Sequence, residues 1–433
     1  MPANSNPRGI AGEYLWDGLA ADGSGKQMKD DSRIVALDNF SDYNGNLSAH
    51  IQPGGSAAGR RWMGSGEMSL DDNNSFTGKC SLKITIPANV EKGRTLQQWV
   101  DTRALRGIPM NDETWTAVGN MADELAALPD KTIPVYGVRH REGGYDHLFA
   151  RAAVMFGETY QNSVHTGMGF SGGYFNRPNP TIGAPGGLHP GSSAGYRSNG
   201  FDRFIASLET NMRHQHPMGP PPAPRQPGWL NIYNYGAEQT GIHGNHVFAD
   251  GTVVPATGGD GTRFLSRVET DTVLSDGTEL MKSKGFVKFN NYCPPLGEWL
   301  TLEYELKLNT VDGTPIPPGP NHNYRQTPGN HPEFVNAAPI GSKEGRGPQP
   351  IPGGSPDYKV HADGIIRVWL NGELIMNYED VIIRHTNEMV IDLVAFSAYF
   401  RNAPQDISVW YDNVVVATEY IGQVNKTGPD PDK

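Results

Sequence analysis

The chain has 433 residues, of which 53 are glycine and 34 are proline, and its formal net charge is −11. This acidic balance argues against non-specific binding of nucleic acid, because a phosphate backbone is bound by clustered cations. Glycine and proline favour turns and loops over long helices, while eight tryptophans and seventeen tyrosines can supply a core. The length allows two average domains or one large all-β domain.

The N-terminal residues 1–34 are polar and glycine-rich, and we interpret them as an arm that precedes the domain. They lack the basic and apolar regions of a secretory signal, and no apolar run approaches the ~18 residues of a transmembrane helix. We therefore expect no membrane insertion. Three localisations stay open: the cytoplasm, a virion or lysis-released protein if the gene belongs to a phage, and an extracellular protein if a leader has been removed.

Only one segment has a helical pattern. In NDETWTAVGNMADELAALPD, apolar residues recur at helical spacing between a capping Asn111 and Pro129, which predicts one short surface helix over 111–128. Elsewhere the apolar residues alternate with polar ones, which is typical of strands. The predicted strands lie at 33–40, 79–87, 145–156, 201–210, 228–236, 285–293, 298–309, 364–379, 389–400 and 406–422.

The strand at 298–309 has the clearest alternation. Its leucines and Tyr304 form one face, which we expect to be buried, and Glu303, Glu305 and Lys307 form the other, which we expect to be exposed. The strand is therefore predicted to be antiparallel and half exposed.

The last strand, DISVWYDNVVVATEYIG, is apolar on both faces, which indicates burial on both sides. Asp412 is the exception, because a buried carboxylate needs backbone donors, a cation or a metal as its partner. Strict alternation divides the strand into a first face of Val409, Tyr411, Val415 and Ala417 and a second face of Trp410, Asp412, Val414 and Val416.

Many short strands without β–α–β alternation predict a sandwich or jelly roll in one domain. A hairpin turn is expected at Asn371–Gly372, and Cys80 and Cys293 are expected to be buried free thiols, with a single disulfide left open. The predicted organisation is a domain over 35–422, with loop insertions at about 157–200, 211–228 and 310–363, and a flexible tail over 423–433.

Several of these strands resemble a known family. GEWLTLEYELKLNT, DGIIRVWLNGELI, the single Arg384 and WYDNVVVATEYIG resemble the C-terminal strands of concanavalin-like jelly rolls related to polysaccharide lyases of the alginate and glucuronan lyase type. FTGKCSLKITIP and YDHLFARAAVMF resemble the early strands, so the resemblance covers most of the chain. It implies an all-β, concanavalin-like jelly-roll sandwich of two antiparallel sheets with long glycine- and proline-rich loops.

The resemblance also implies an activity, the cleavage of a uronate polysaccharide by β-elimination. Such a reaction needs a group that neutralises the substrate carboxylate, a base for the C5 proton and an acid for the leaving oxygen. In the resembling lyases, Arg, Lys, Tyr and His on the concave sheet fill these roles. One departure stands out: those lyases carry a lysine in a loop whose counterpart here, TIGAPGGLHPG, has none.

The candidate site residues follow from strand alternation, because residues two apart on a strand share a face. A packed tyrosine pair, salt-bridged strand arginines and solvated loop histidines are the structural alternatives to a catalytic role. We expect one groove on the concave sheet to gather Arg151, Arg203, Tyr233 and Tyr235, with His243 or His246 at its rim.

Calcium is the one cofactor that the resemblance suggests, at the meeting of the first and last strands. Asp38 and Asp412 would supply carboxylate ligands, and calcium prefers several hard oxygen donors. The alternative is that turn amides donate hydrogen bonds to these carboxylates.

Three functions of different classes stay open: a polysaccharide lyase, a non-catalytic glycan-binding protein, and a structural, decoration or host-recognition protein of a phage virion. The partners are accordingly a polysaccharide and, for the third function, other subunits of the assembly. The absent lysine counts against the lyase and leaves the other two functions untouched.

Overall fold

The computed structural model shows a two-sheet β-sandwich, as predicted. The predicted helix over 111–128 lies outside the described residues, and so does most of the three loop insertions. Within the described part of the chain, no helix is long and apolar enough to span a membrane. The structure describes residues 9–15, 19–41, 47, 51–53, 62–65, 68–89, 92–99, 144–160, 166–173, 203–211, 227–236, 244–255, 269–273, 279–282, 287–313, 359–384, 387, 389–391, 393–400 and 405–423.

The first sheet, sheet A, is antiparallel. Its strands are β1 Ile34–Asp38, β4 Met68–Asp71, β5 Ser81–Ile86, β7 His147–Phe156, β15 Trp299–Lys307, β18 Gly364–Leu370, β19 Glu373–Val381 and β21 Ile407–Ala417. They lie side by side in the order β19-β18-β15-β7-β21-β5-β4, and β1 also pairs with β21.

The strands of the second sheet, sheet B, are β2 Ile51–Pro53, β3 Trp62–Ser65, β6 Lys92–Trp99, β8 Thr166–Gly173, β9 Arg203–Asn211, β10 Trp229–Tyr235, β11 Asn245–Phe248, β12 Val253–Pro255 and β20 Leu393–Phe400. They lie in the order β12-β11-β10-β9-β8-β20-β6-β3-β2, and the sheet is antiparallel except where β2 meets β3. Two small pairs and two 3-10 turns complete the described elements: β13 Glu269–Val273 with β14 Glu279–Lys282, β16 Val311–Asp312 with β17 Lys359–Val360, Ile10–Glu13 and Met28–Asp30.

The core lies between the two sheets, where alternate residues of the facing strands meet. Leu302, Tyr304 and Leu306 of β15 are buried in it, which confirms the predicted register of that strand. Two tyrosines of sheet A cross the core to backbone carbonyls of sheet B. The Tyr411 hydroxyl donates to Gly167 O at 3.0 Å and to Ser397 O at 2.9 Å, and the Tyr378 hydroxyl donates to Phe248 O at 2.5 Å.

A third layer covers the outer face of sheet A. Ile10, Ala11 and Tyr14 of the N-terminal segment pack with Val415 and Ile421 in a second apolar cluster. The two ends of the chain also pair directly, since Ile10 N donates to Tyr420 O at 3.0 Å and Ala11 N donates to Ile421 O at 2.7 Å. The segment that the sequence suggested as an arm is thus part of the folded body in this region.

This layer corrects the expected exposure of β15. Glu303 and Glu305 are buried, at 3% and 2% exposure, although they point away from the core as predicted. The Glu303 carboxylate accepts the backbone N–H groups of Ile421 and Gly422, at 2.7 and 2.8 Å. The Glu305 carboxylate instead meets Arg367 Nη1 at 3.1 Å and His147 Nε2 at 2.8 Å, and Lys307 is half-exposed. The alternation was right, and the inference of exposure was wrong for the two glutamates.

The strict alternation expected for the last strand is also wrong after Asp412. Asn413 has a positive φ of 48° and forms a bulge in the pairing of β21 with β7. As a result Val414 and Val416 join Tyr411 in the core, while Val415 turns to the outer layer.

Other local predictions have mixed outcomes. The hairpin at Asn371–Gly372 is confirmed, with positive φ at both residues, as a tight two-residue turn requires. The predicted strand at 285–293 is wrong, because its described residues make only an isolated bridge at Val287. The expected loop insertion at 157–200 contains β8, a central strand of sheet B. Cys80 and Cys293 form no disulfide with each other, and both are half-buried, where full burial was expected.

Candidate functional site

The outer face of sheet B carries a polar cluster where β9, β10 and β11 run side by side. Alternation turns Leu208, Ile232 and Val247 into the core and their neighbours outward. Cross-strand pairing then sets Glu209 opposite Asn231 and Tyr233 opposite His246. We call these outward residues the tyrosine–histidine cluster: Glu209, Asn231, Tyr233, Tyr235 and His246.

The two tyrosines of the cluster share a hydrogen bond. Their hydroxyl oxygens lie 2.7 Å apart, and their rings meet edge to face at 5.1 Å between centroids. The Tyr233 oxygen also accepts the Gly244 N–H at 3.3 Å. Burial raises the pKa of Tyr233 well above its ordinary value near 10, and the nearby Tyr235 and Glu209 contribute to the same shift to a smaller extent. Tyr233 therefore keeps its proton near neutral pH and can act as a donor.

His246 lies between the tyrosine pair and two polar side chains. Its ring stacks on Tyr233 at 4.6 Å between centroids with an interplanar angle of 23°. Its Nδ1 lies 2.9 Å from Asn231 Oδ1 and 3.6 Å from Glu209 Oε1. The cluster thus places a titratable ring beside a proton-donating phenol, which is the combination that general acid–base chemistry needs.

The cluster is buried, whereas the sheet beside it is partly open. Tyr233, Tyr235 and His246 are only 8%, 3% and 0% exposed. Beside them, Ser207 of β9 and Ser397 of β20 are partly exposed.

Glycines in β8 let it approach β9 closely beside the cluster. A Cβ at Gly167 of β8 would lie 2.0 Å from Leu208 O, and one at Gly169 would lie 2.3 Å from Ser207 Oγ. No side chain fits at these two positions, and both glycines are buried.

The structure brings together Tyr233, Tyr235 and His246 from the predicted set. Arg203 begins β9 and pairs with Gly173, next to the pair of Ile205 with Ser171. The pairing of Ile205 with Tyr235 places the backbone of Arg203 near the same end of the sheet. His243 lies outside the described residues.

The predicted placement of Arg151 in this groove is wrong. Arg151 belongs to β7 in sheet A, where it pairs with Glu303 and Val415. Its guanidinium donates to Gly422 O and to Asn413 Oδ1, each at 2.6 Å, beneath the layer formed by the chain ends. Alternation gave the correct face of the strand, but it cannot tell which sheet a strand joins.

Sequence reasoning missed two members of the cluster, Glu209 and Asn231. Asn231 stands two residues before Tyr233 in NIYNY, so the alternation that paired the tyrosines also included it. Glu209 is a carboxylate inside a predicted strand, at 2% exposure. A buried acid in a strand already pointed to a metal or hydrogen-bond partner for Asp412, and the same argument applies to Glu209.

Asp38 and Asp412 lie close together near the β1–β21 contact, as predicted. Asp412 accepts the N–H groups of Phe76, Thr77 and Asn413 at 2.8, 3.0 and 2.6 Å, and Asp38 accepts that of Phe40 at 2.8 Å. Burial and, to a smaller extent, the charge of Asp38 raise the pKa of Asp412 to about 7, although the N–H groups of Thr77, Asn413 and Phe76 oppose the shift. The described contacts are those of carboxylates held by turn amides.

Comparison with known proteins gives structural likeness alone. No family model matches the chain, and no curated protein matches its sequence. Similar solved structures include the alginate lyase vAL-1 from Chlorella virus, at 10% identity over 82% of this chain and 92% of that one, with a TM-score of 0.36. They also include the endo-β-1,4-glucuronan lyase of the fungus Trichoderma reesei, at 10% identity over 82% and 87%, with a TM-score of 0.31.

A phage protein is among the similar structures as well. The carbohydrate esterase vb_24B_21 from the Shiga toxin-encoding bacteriophage phi24B is 9% identical over 90% of this chain and 98% of that one, with a TM-score of 0.33. At these identities and scores, the function has to be argued from the residues of the site.

Proposed function

We propose that the protein binds a polysaccharide on the outer face of sheet B and cleaves a uronate-containing chain by β-elimination at the tyrosine–histidine cluster. The observation that carries the proposal is the contact of a proton-donating tyrosine pair with a stacked histidine on one sheet face. The reaction class is the one implied by the sequence resemblance.

In the proposed reaction, His246 takes the C5 proton of a uronate residue and a tyrosine hydroxyl donates a proton to the leaving oxygen. The electrons of the C5–H bond form the C4–C5 double bond as the C4–O bond breaks, so no oxidant or reductant is needed. Arg203 is the candidate for neutralising the substrate carboxylate, on the basis of its position at the start of β9. These roles need the cluster to become accessible when substrate enters.

Tyr235→Phe tests the acid step, since it removes one hydroxyl and little packing. Wild-type protein is expected to release unsaturated uronate from alginate, glucuronan or a bacterial capsule, measured as ultraviolet absorbance, and the variant is expected to lose that signal. Tyr420→Phe, a change on the outer layer of sheet A, is the matched control and should keep it. Equal activity in wild type and Tyr235→Phe would rule out the proposed acid.

Glycan recognition without catalysis, as in a phage virion component, is the second candidate. The burial of all three rings favours it, because a binding surface beside the cluster needs no access to them. Binding of a uronate polymer without any unsaturated product, together with presence in purified particles, would select this function.

Calcium stays a separate prediction for Asp38 and Asp412. The described residues hold no group of three or more potential metal ligands, and four backbone amides already donate to the two carboxylates. A native-state metal would make the melting temperature fall when a chelator is added, because a ligand bound only to folded protein stabilises it. An unchanged melting curve in excess EDTA would leave hydrogen bonding as the role of both aspartates.

A further inference from the structure

The proposed reaction leaves two members of the tyrosine–histidine cluster without a role. Asn231 and Glu209 are buried, at 0% and 2% exposure, and both lie beside the same nitrogen of His246. A buried polar side chain is normally kept by its hydrogen bonds, so their orientation can be deduced from the donors and acceptors around them.

The amide of Asn231 has one orientation that satisfies its neighbours. Its Nδ2 lies 3.1 Å from Trp229 O and 3.3 Å from Glu209 O, and both of these backbone oxygens can only accept. The NH2 group must therefore point toward them. Oδ1 is left facing Nδ1 of His246 at 2.9 Å.

This orientation determines the histidine tautomer. An amide oxygen only accepts hydrogen bonds, so Nδ1 has to carry the proton that it donates to Asn231. In the neutral ring the lone pair then belongs to Nε2. The Glu209 carboxylate, 3.6 Å from Nδ1, lies on the protonated side and stabilises the cation that forms when Nε2 accepts a proton.

Two further contacts hold the ring of His246 and its strand β11 in place. Tyr233 stacks on one face of His246, and the Tyr378 hydroxyl holds Phe248 O two residues along β11. A 180° turn of the imidazole that exchanged the positions of its two ring edges would break the hydrogen bond to Asn231.

We propose that Asn231 and Glu209 are positioning residues that commit His246 to the Nδ1–H form, which makes Nε2 the proton-accepting atom of the cluster. The inference deepens the proposed function. It rests on that function only for the identity of the group that gives its proton to Nε2, the C5–H of a uronate residue. The tautomer itself follows from the contacts among Asn231, Trp229, Glu209 and His246.

The test is the tautomer of His246, measured by two-bond proton–nitrogen NMR in protein labelled with 15N-histidine. His246→Gln identifies the signal, and the spectrum is taken at a pH where the ring is neutral. We expect a protonated Nδ1 and an unprotonated Nε2. Observation of the Nε2–H form, or of an equal mixture, in wild-type protein would overturn the proposal.

Two substitutions at one position separate the role of Asn231 from simple packing. Asn231→Leu removes the acceptor and should shift the ring toward a tautomer mixture, whereas Asn231→Asp keeps an acceptor and should retain the Nδ1–H form. Unchanged tautomers in both variants would refute the role assigned to Asn231. If Asn231→Leu does not fold, the proposal can still be overturned, by the Nε2–H form in wild-type protein or by loss of the Nδ1–H form in Asn231→Asp.

Glu209→Gln tests the second positioning residue. We expect the variant to keep the neutral Nδ1–H form and to need a lower pH for protonation of Nε2, since the neighbouring negative charge is gone. On a cleaved substrate, kcat should fall by about tenfold or more with KM unchanged. An unchanged NMR titration would remove Glu209 from the proposal. Absence of any cleavage would instead count against the proposed function and leave the tautomer result standing.

Discussion

Replacing Arg151 with methionine is expected to lower the free energy of unfolding by about 3–5 kcal/mol, because two hydrogen bonds of a buried charged group are lost at about 1.5–3 kcal/mol each. Arg151 is 1% exposed, and its guanidinium bonds to Gly422 O and Asn413 Oδ1. Burial lowers its pKa to about 10, so it stays charged at neutral pH opposite Glu303. The variant would lose both hydrogen bonds and leave Glu303 without its cation.

Chemical denaturation at about pH 8 measures this loss, because Glu303 is then mostly ionised and most in need of Arg151. The double variant Arg151→Met/Glu303→Gln should recover part of the loss, since no charge is left buried alone. Lys83→Met is the matched control on the same sheet, where only a cation–π contact to Trp410 at 5.1 Å is lost. Its cost should be about 0.5–1 kcal/mol. If Arg151→Met and the control lowered the free energy of unfolding equally, the buried contacts of Arg151 would contribute little to stability.

The fold of sheet A shows where sequence patterns succeed and where they end. The two-residue period of β15 predicted which residues enter the core, because that period is a property of the strand alone. The burial of Glu303 depends on Ile421 and Gly422, more than a hundred residues away, and no local pattern encodes that contact. The bulge at Asn413 is similar, since a single residue with positive φ reverses the faces of everything after it.

The same division applies to the candidate site. Tyr233 and Tyr235 could be paired from sequence, because they are two apart on one strand, and His246 could be placed near them. Arg151 could not be assigned, because β7 and β10 have equally strand-like sequences and join different sheets. The strand β8 was missed because Gly167 and Gly169 stand at its outward positions; glycines are rare in strands and are needed here for close approach to β9.

The second large effect concerns pH, through two buried carboxyl groups. Burial raises the pKa of Glu303 from its ordinary 4.5 to about 7, although Ile421, Arg151 and Gly422 oppose the shift. Burial likewise raises the pKa of Asp412 from 3.8 to about 7. Between about pH 4.5 and pH 7, the folded protein holds protons that the unfolded chain releases, so stability falls as the pH rises through this window.

We therefore expect the protein to be more stable near pH 5 than near pH 8, by about 3 kcal/mol for each carboxyl group, from 1.36 kcal/mol per pKa unit. Below about pH 4 the trend reverses, because Arg33 lowers the pKa of Asp31 and protonation of that group costs stability.

Denaturant titrations at several pH values measure how the free energy of unfolding depends on pH. Glu303→Gln and Asp412→Asn should each reduce the dependence of stability on pH between pH 5 and pH 7. Asp31→Asn should change that dependence only below about pH 4. A wild-type stability that rises steadily from pH 5 to pH 8 would mean that both carboxyl groups are ionised throughout, held by Arg151 and the backbone amides more strongly than burial opposes them.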